Sequence, residues 1–317
     1  MSRDNPITDF LDRSGLLVID GGLATELERR GYDLNDELWS AHLLIDDPDA
    51  IYQVHRDYLL AGADCIISAS YQATIEGFMG KGVDEEGAEE LLCKAVQIAL
   101  DARDDFWSYQ SNRQGRIRPL VAASIGPYGA ALADGSEYTG DYDLDEDGLY
   151  DFHKRRWQIL SRTRADILAC ETIPSYPETK ALVRLITETP DRYAWICFSC
   201  QDNRRINDGT PIARCIQEIV GLNQVAAVGI NCTAPRFILG LIDEIKANSS
   251  KPIIVYPNSG EHFEPDTREW LGQAAPDNFA QASKSWRSKG AQLIGGCCRT
   301  GPEHISQIRE LLLPKSI

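Results

Sequence analysis

Eight short apolar runs, separated by helical patterns, constrain the fold of this 317-residue sequence more than any other feature. Most of them are continuously apolar, which is typical of parallel strands covered on both faces. The predicted strands are residues 16–20, 65–70, 120–125, 167–171, 194–199, 226–231, 253–256 and 292–295. Eight strands alternating with helices predict an α/β fold, a TIM-type (β/α)₈ barrel, with residues 1–317 as a single domain.

Local signals place some helix ends. Asp47 followed by Pro48 predicts a helix start, and Gly62 predicts the end of that helix. Thr300 and Glu303 have the spacing of a capping box, which predicts that the last helix is capped at Thr300.

An open doubly wound sheet is the competing architecture. It usually carries Gly-x-Gly-x-x-Gly after its first strand. Here that turn reads Asp-Gly-Gly-Leu-Ala-Thr-Glu from residue 20, which does not match.

Composition narrows the class of protein. The net charge of −16 argues against nucleic-acid binding, which needs clustered Lys and Arg. No apolar run approaches the roughly 20 residues of a membrane helix, and the polar N-terminus does not resemble a signal peptide. Nine cysteines, an odd number, fit reduced thiols better than a disulfide framework. We therefore expect a cytoplasmic protein that binds neither nucleic acid nor membrane.

Three cysteines follow predicted strands. Cys232 comes after the sixth strand, and Cys297 and Cys298 come after the eighth. Alternate strands of a TIM barrel contribute side chains to the same layer, and chemistry occurs at their carboxyl ends. Thiolates select Zn²⁺ over Mg²⁺ or Ca²⁺, and three protein ligands with an open fourth position are typical of catalytic zinc. The alternative is that these thiols are small buried apolar groups.

The remaining cysteines are predicted to pack in the core rather than to bind metal. Cys197 and Cys200 have redox spacing, but residues three apart on a strand face opposite ways, so a core role is predicted. Cys65, Cys93 and Cys215 are predicted to pack in the core.

Polar residues end several other predicted strands. Asp20 has Thr25 just beyond it, Ser70 is followed by Gln72, and Glu171 closes an apolar run. Glu171 should therefore face the barrel mouth, where a carboxylate could hold a substrate ammonium. The alternatives are a first-turn helix glutamate for Glu171 and a simple Asp-Gly-Gly turn for Asp20.

Two long irregular connections, residues 126–147 and 257–276, are predicted to be lids. The first holds Tyr138, Tyr142 and Glu137, and aromatic rings with carboxylates suit a cationic ligand. A plain acidic loop is the alternative. His262, in the second connection, could contact metal or donor, or simply form loop hydrogen bonds.

Together these residues resemble the homocysteine S-methyltransferase family over nearly the whole chain. The resemblance is carried by Asp20-Gly-Gly-Leu-Ala-Thr-Glu26, Ser70-Tyr-Gln-Ala-Thr74, Ser124-Ile-Gly-Pro-Tyr-Gly129, Asp134-Gly-Ser-Glu-Tyr-Thr-Gly-Asp-Tyr142, Glu171-Thr172, Asn231-Cys232, Tyr256-Pro-Asn-Ser-Gly-Glu261 and Gly295-Gly-Cys-Cys-Arg-Thr300.

The resemblance implies a (β/α)₈ barrel whose zinc ion is held by Cys232, Cys297 and Cys298 and binds the sulfur of homocysteine. It implies that groups matching Asp20 and Glu171 hold the amino acid end. The full predicted substrate-binding set is Asp20, Thr25, Ser70, Gln72, Glu171 and Asn231. The implied reaction moves a methyl group from S-methylmethionine or S-adenosylmethionine to homocysteine, giving methionine. The betaine-using and cobalamin-dependent members are less similar.

Two other functions fit a thiol cluster. A zinc-dependent barrel hydrolase would activate water at the same open position. A thiol-rich metal-storage or redox-sensing protein would bind more than one metal per chain or form reversible disulfides.

Overall fold

The computed structural model describes residues 4–36, 38–260, 262–264, 269–271 and 276–313. The strands are β1 (Leu17–Val18), β2 (Cys65–Ile67), β3 (Leu120–Ile125), β4 (Ile167–Ile173), β5 (Ala194–Phe198), β6 (Val225–Asn231), β7 (Ile253–Tyr256), β8 (His262–Glu264), β9 (Glu269–Leu271) and β10 (Ala291–Ile294). The α-helices are α1 (Thr8–Ser14), α2 (Leu23–Arg29), α3 (Leu43–Asp46), α4 (Pro48–Ala61), α5 (Ile75–Gly80), α6 (Glu85–Ser108), α7 (Tyr128–Leu132), α8 (Glu146–Arg162), α9 (Tyr176–Glu188), α10 (Ile212–Ile219), α11 (Pro235–Asn248), α12 (Pro276–Lys289) and α13 (Pro302–Leu312). Short 3₁₀ turns occupy Trp39–His42, Gln110–Arg113 and Ser136–Tyr138. None of the helices in the described ranges is both long and apolar enough to span a membrane.

Eight parallel strands form one sheet in the order β1-β10-β7-β6-β5-β4-β3-β2. A parallel bridge between Ile19 and Cys65 joins its two ends, and the Asp20 amide donates to the Cys65 carbonyl over 3.0 Å. The sheet is therefore a barrel with helices between its strands, and the predicted TIM-type fold is confirmed. Each predicted strand coincides with an observed one to within a few residues.

The barrel packs in two layers because successive strand residues face opposite ways. Leu17 and Ile19 belong to the interior cluster, whereas Val18 packs against the surrounding helices. Ile7 and Phe10, at the start of the chain, also join the interior cluster, so α1 covers the end where the strands begin.

The predicted core cysteines divide between the two layers. Cys65 and Cys197 lie in the interior cluster, and Cys200 and Cys215 lie in the outer one, as predicted. The prediction for Cys93 is wrong, because this residue is exposed on α6 and its neighbours Leu92 and Ala95 form the buried face of that helix.

The predicted caps are confirmed at α4 and wrong at α13. The Asp47 side chain accepts from the Ala50 amide over 3.2 Å, and Gly62 ends α4 with a φ of 111°. At α13 the N-cap is Gly301 rather than Thr300, because Pro302 occupies the first helical position. The Thr300 hydroxyl instead donates to the Cys297 carbonyl over 2.6 Å.

The two predicted lids contain regular structure where they are described. The first, residues 126–147, holds α7 and the Ser136–Tyr138 turn. In the second, residues 257–276, β8 and β9 pair as antiparallel strands. The contacts predicted for His262 involve a side chain outside the described part of the structure.

A buried charged group lies between α8 and α9. Glu178 and His153 are completely buried, and the Glu178 carboxylate accepts from His153 Nε2 over 2.7 Å. Arg156 donates to His153 Nδ1 over 3.1 Å, which fixes the proton on Nε2. Burial lowers the pKa of His153, so the imidazole is neutral and Glu178 and Arg156 carry the two charges.

This Glu178–His153–Arg156 network holds two connections that follow neighbouring strands. Glu178 accepts from the Tyr128 amide over 2.6 Å, in the connection after β3. Arg156 donates to the Gly126 carbonyl in the same connection, and to the Tyr71 carbonyl after β2 over 3.4 Å. One buried guanidinium therefore ties both connections together.

Replacing Glu178 with Ala should lower the free energy of unfolding by about 3 kcal/mol, because Arg156 is left buried without its counter-charge. Denaturant unfolding at pH 7 measures this difference. Glu90→Ala, at an exposed position of α6, is the matched control and should change stability by less than about 0.5 kcal/mol. Equal effects of the two substitutions would contradict this assignment.

Candidate active site

Three thiols meet at the carboxyl end of the barrel. Cys232 directly follows β6, and Cys297 and Cys298 lie between β10 and α13. Their sulfur atoms all lie within 4.8 Å of one another, and Cys232 Sγ is 3.7 Å from Cys298 Sγ. Sulfur ligands 2.3 Å from a tetrahedral zinc ion would be about 3.8 Å apart. The spacing and softness of this donor set therefore fit a zinc ion.

Backbone hydrogen bonds to the intervening strand hold the thiol segments. The Cys232 amide donates to the carbonyl of Tyr256, the last residue of β7, over 3.3 Å. The Cys297 amide donates to the next carbonyl, that of Pro257, over 2.9 Å. The segment after β7 thus positions cysteines from both of its neighbours.

The segment from Gly295 to Thr300 is compact. A Cβ atom at Gly296 would lie 2.6 Å from the Thr300 Cβ, so only glycine fits there. The Thr25 hydroxyl accepts from the Arg299 amide over 2.9 Å. Thr25, predicted to bind substrate, thus supports the thiol segment and also lines the cavity described below.

Left-handed backbone is concentrated around this site. Five described residues other than glycine have a positive φ: Trp39, Ala133, Thr172, Cys232 and Arg299. The first four line the cavity above the thiols, and Arg299 directly follows Cys298. Such conformations are costly and persist where surrounding structure enforces them, as is common at functional sites.

Hydrogen bonds among the three thiols shift their pKa values in opposite directions. Hydrogen bonds from Cys297 and Cys298 hold the pKa of Cys232 well below its usual range. The pKa values of Cys297 and Cys298 are raised, first by their hydrogen bonds with Cys232 and also by burial. A single thiolate is therefore favoured without a cation, and full ionisation of the triad needs a positive charge.

A cavity of about 470 Å³ opens above the thiols. Its carboxylate residues are Asp20, Glu28, Asp33, Asp36, Asp134, Glu137 and Glu171. Its aromatic residues are Tyr32, Trp39, Tyr71, Tyr138 and Tyr256. Within the described part of the chain, no lysine, arginine or histidine lines it. This combination favours a positively charged ligand.

Two buried carboxylates line the same cavity as Cys297 and interact with it electrostatically. Asp20 accepts from the Ile67 amide over 2.8 Å, and Glu171 accepts from the Ser124 hydroxyl. Burial raises the pKa of Asp20 well above its usual range and that of Glu171 to about 8. Neither forms an ion pair with a described residue. A bound ammonium would supply the missing charge and favour the ionised carboxylates.

Of the other residues predicted to bind substrate, Gln72 and Asn231 line the cavity and Ser70 does not. The Asn231 side-chain oxygen accepts from the Thr172 backbone amide over 2.6 Å, and Asn231 Nδ2 donates to the Thr172 hydroxyl over 2.7 Å. Ser70 is fully buried and does not line the cavity; its hydroxyl donates to the Ser124 carbonyl over 2.8 Å.

Sequence reasoning missed the connection between α2 and α4. It brings Tyr32, Asp33, Asp36 and Trp39 to the cavity. The available signal was a long segment rich in acidic, Asn and aromatic residues directly after the first strand–helix unit.

Comparison with known proteins agrees with this geometry. The family model described as homocysteine S-methyltransferase matches residues 17–312. "Homocysteine S-methyltransferase YbgG" of Bacillus subtilis is 54% identical over 304 residues, which cover 96% of each chain.

Solved structures of a homocysteine methyltransferase also match this chain over nearly its full length. The oxidized form of the homocysteine methyltransferase MmuM from Escherichia coli superposes with a TM-score of 0.87 at 42% identity. Its metallated form gives 0.86 at 41% identity, and both matches cover 96% of this chain and 99% of the other. The thiol triad, the barrel and these similarities together place the chain in the homocysteine S-methyltransferase family.

Proposed function

We propose that this enzyme transfers a methyl group from a sulfonium donor, S-methylmethionine or S-adenosylmethionine, to the thiolate of homocysteine, giving methionine, with zinc as its metal. The convergence of Cys232, Cys297 and Cys298 below an acidic cavity carries the proposal. The existence of a metallated form of E. coli MmuM supports a metal in this family.

The three cysteines would hold the zinc ion. A bound zinc ion supplies Lewis acidity that keeps a coordinated thiol deprotonated at neutral pH, where a free thiol is mostly protonated. The protein therefore needs no general base for the acceptor, which agrees with the lack of a lining histidine among the described residues.

Asp20 and Glu171 orient the acceptor. Their buried carboxylates line the same cavity as the thiols and interact electrostatically with Cys297, so an ammonium bound there places the rest of a short amino acid near the thiols. Binding in the ionised form recovers the electrostatic energy lost when the carboxylates were buried.

The methyl group passes from the donor sulfur to the acceptor sulfur in one displacement. As the new bond forms between the acceptor sulfur and the methyl carbon, the bond from that carbon to the donor sulfur breaks, and its electron pair stays on the donor sulfur. Positive charge on the donor is neutralised, so positioning and exclusion of water supply the catalysis. The Tyr71 and Tyr138 rings line the cavity and suit a sulfonium.

The two other functions have less support. Zinc hydrolases usually have histidine and carboxylate ligands, whereas this triad is entirely thiol. A storage protein would need several metal-binding groups, and the described residues contain one such group.

Purified enzyme should form methionine from homocysteine and S-methylmethionine, lose this activity with a zinc chelator and regain it with Zn²⁺ but not Mg²⁺, because thiolates bind Mg²⁺ poorly. Product analysis with each donor checks this and ranks the two sulfonium compounds. Hydrolysis of ester or amide substrates without methyl transfer would contradict the proposal.

Cys298→Ser should remove both bound metal and activity, because a serine hydroxyl is a poor ligand for zinc. Elemental analysis and methionine formation measure the two losses. Cys93→Ser, at an exposed position of α6, is the control and should keep both. Full turnover by a zinc-free Cys298→Ser protein would defeat the proposed role of the metal.

Glu171→Gln should raise the KM for homocysteine about tenfold or more, because the neutral amide no longer balances the ammonium charge. Metal content should stay unchanged, since Glu171 is not among the three thiol ligands. Steady-state kinetics with varied homocysteine provide the test, with Glu90→Gln as the surface control. An unchanged KM would remove Glu171 from the acceptor site.

A further inference from the structure

We propose that Glu137 binds the α-ammonium group of the methyl donor and so makes this site selective for sulfonium compounds that are amino acids. This inference rests on the proposed function, because it names the donor end of the same cavity. Glu137 lies in the Ser136–Tyr138 turn and lines the cavity.

Glu137 is distinct from the carboxylates assigned to the acceptor. Asp20 and Glu171 interact electrostatically with Cys297, whereas Glu137 directly precedes Tyr138, whose hydroxyl lies 3.9 Å from Cys232 Sγ. The cavity therefore has a second anionic position beside another member of the thiol triad. A reaction that joins two amino acids needs two positions for ammonium groups, one for each substrate.

The Glu137 carboxylate has an unused acceptor atom. Its Oε2 is buried and has no hydrogen-bond partner in the described structure. Buried polar atoms are nearly always paired, so an orphaned carboxylate oxygen on a residue that lines a cavity indicates a missing donor. Burial also raises the pKa of Glu137 to about 7, which agrees with a carboxylate that lacks a cationic partner.

The missing partner is better matched by an ammonium than by the sulfonium itself. A sulfonium has no N–H or O–H to donate, whereas an ammonium has three N–H donors. The sulfonium suits the aromatic faces of Tyr71 and Tyr138, which line the same cavity. An amino acid sulfonium would satisfy the carboxylate and the rings at once.

The turn that carries Glu137 is held in place. A Cβ atom at Gly129 would lie 2.4 Å from the Glu137 amide nitrogen, so α7 packs directly against the turn. The Glu137 carbonyl accepts from Ser199 Oγ and Asn207 Nδ2, each over 3.5 Å. The adjacent Tyr138 hydroxyl is 3.9 Å from Cys232 Sγ, which ties the turn to the thiols.

Steady-state kinetics of metal-loaded Glu137→Gln test the proposal. The KM for S-methylmethionine should rise about tenfold or more. The KM for homocysteine and the metal content should stay within twofold of wild type. Dimethylsulfoniopropionate, a sulfonium without an ammonium, should show a KM or inhibition constant that changes less than twofold. Asp143→Asn, an exposed position on the same connection and outside the cavity, is the matched control.

Thermal denaturation separates a binding role from a structural one. Removing an orphaned buried carboxylate should leave the Tm unchanged or raise it at pH 8, whereas loss of a structural group would lower it. Glu137→Asp, which keeps the charge on a shorter side chain, should recover part of the donor KM.

An unchanged KM for S-methylmethionine, or an equal effect on both sulfonium compounds, would overturn the assignment of Glu137 to the ammonium. A marked fall in Tm would do the same. Wild-type enzyme that fails to use any sulfonium donor would instead defeat the proposed function, so the two failures are distinguishable.

Discussion

The lateral order of three strands is the constraint on which the site depends. β7 lies between β6 and β10 in the sheet, so the segments that follow its two neighbours meet above it. Successive carbonyls at its end, those of Tyr256 and Pro257, accept from Cys232 and Cys297. Thiols about 65 positions apart in sequence therefore converge only when these parallel strands pair, and metal binding would then stabilise the closed barrel.

The same site concentrates negative charge without neutralising it. Asp20, Glu137 and Glu171 each have a raised pKa because burial disfavours their ionised forms. Elsewhere the fold balances buried charge, as Arg156 does for Glu178. The contrast indicates that cations from solution balance the negative charge of the cavity. Burying these carboxylates lowers the stability of the free protein, and the same unbalanced charge attracts the cations.

Much of the barrel could be predicted because its signals are local. Continuous apolar runs identify strands buried on both faces, and alternation with helices then leaves few topologies. The position of the thiol triad follows from the rule for alternate strands. Two boundary predictions were wrong: β2 ends at Ile67 rather than at residue 70, and Pro302 at the first helical position shifts the cap of α13 from Thr300 to Gly301.

The rest of the site lies in connections rather than strands, and its geometry could not be predicted from sequence. The sequence indicated Glu137 in an acidic, aromatic connection but not its position in the cavity, and Trp39 was missed, because both lie in 3₁₀ turns whose shape depends on tertiary contacts. Two of these connections, after β2 and β3, are joined through the buried Arg156 guanidinium. The acceptor residues Asp20 and Glu171 are instead fixed by the barrel itself. Replacing the connections could therefore alter the choice of donor on an unchanged barrel, whereas altering the acceptor site would disturb strands that the whole fold shares.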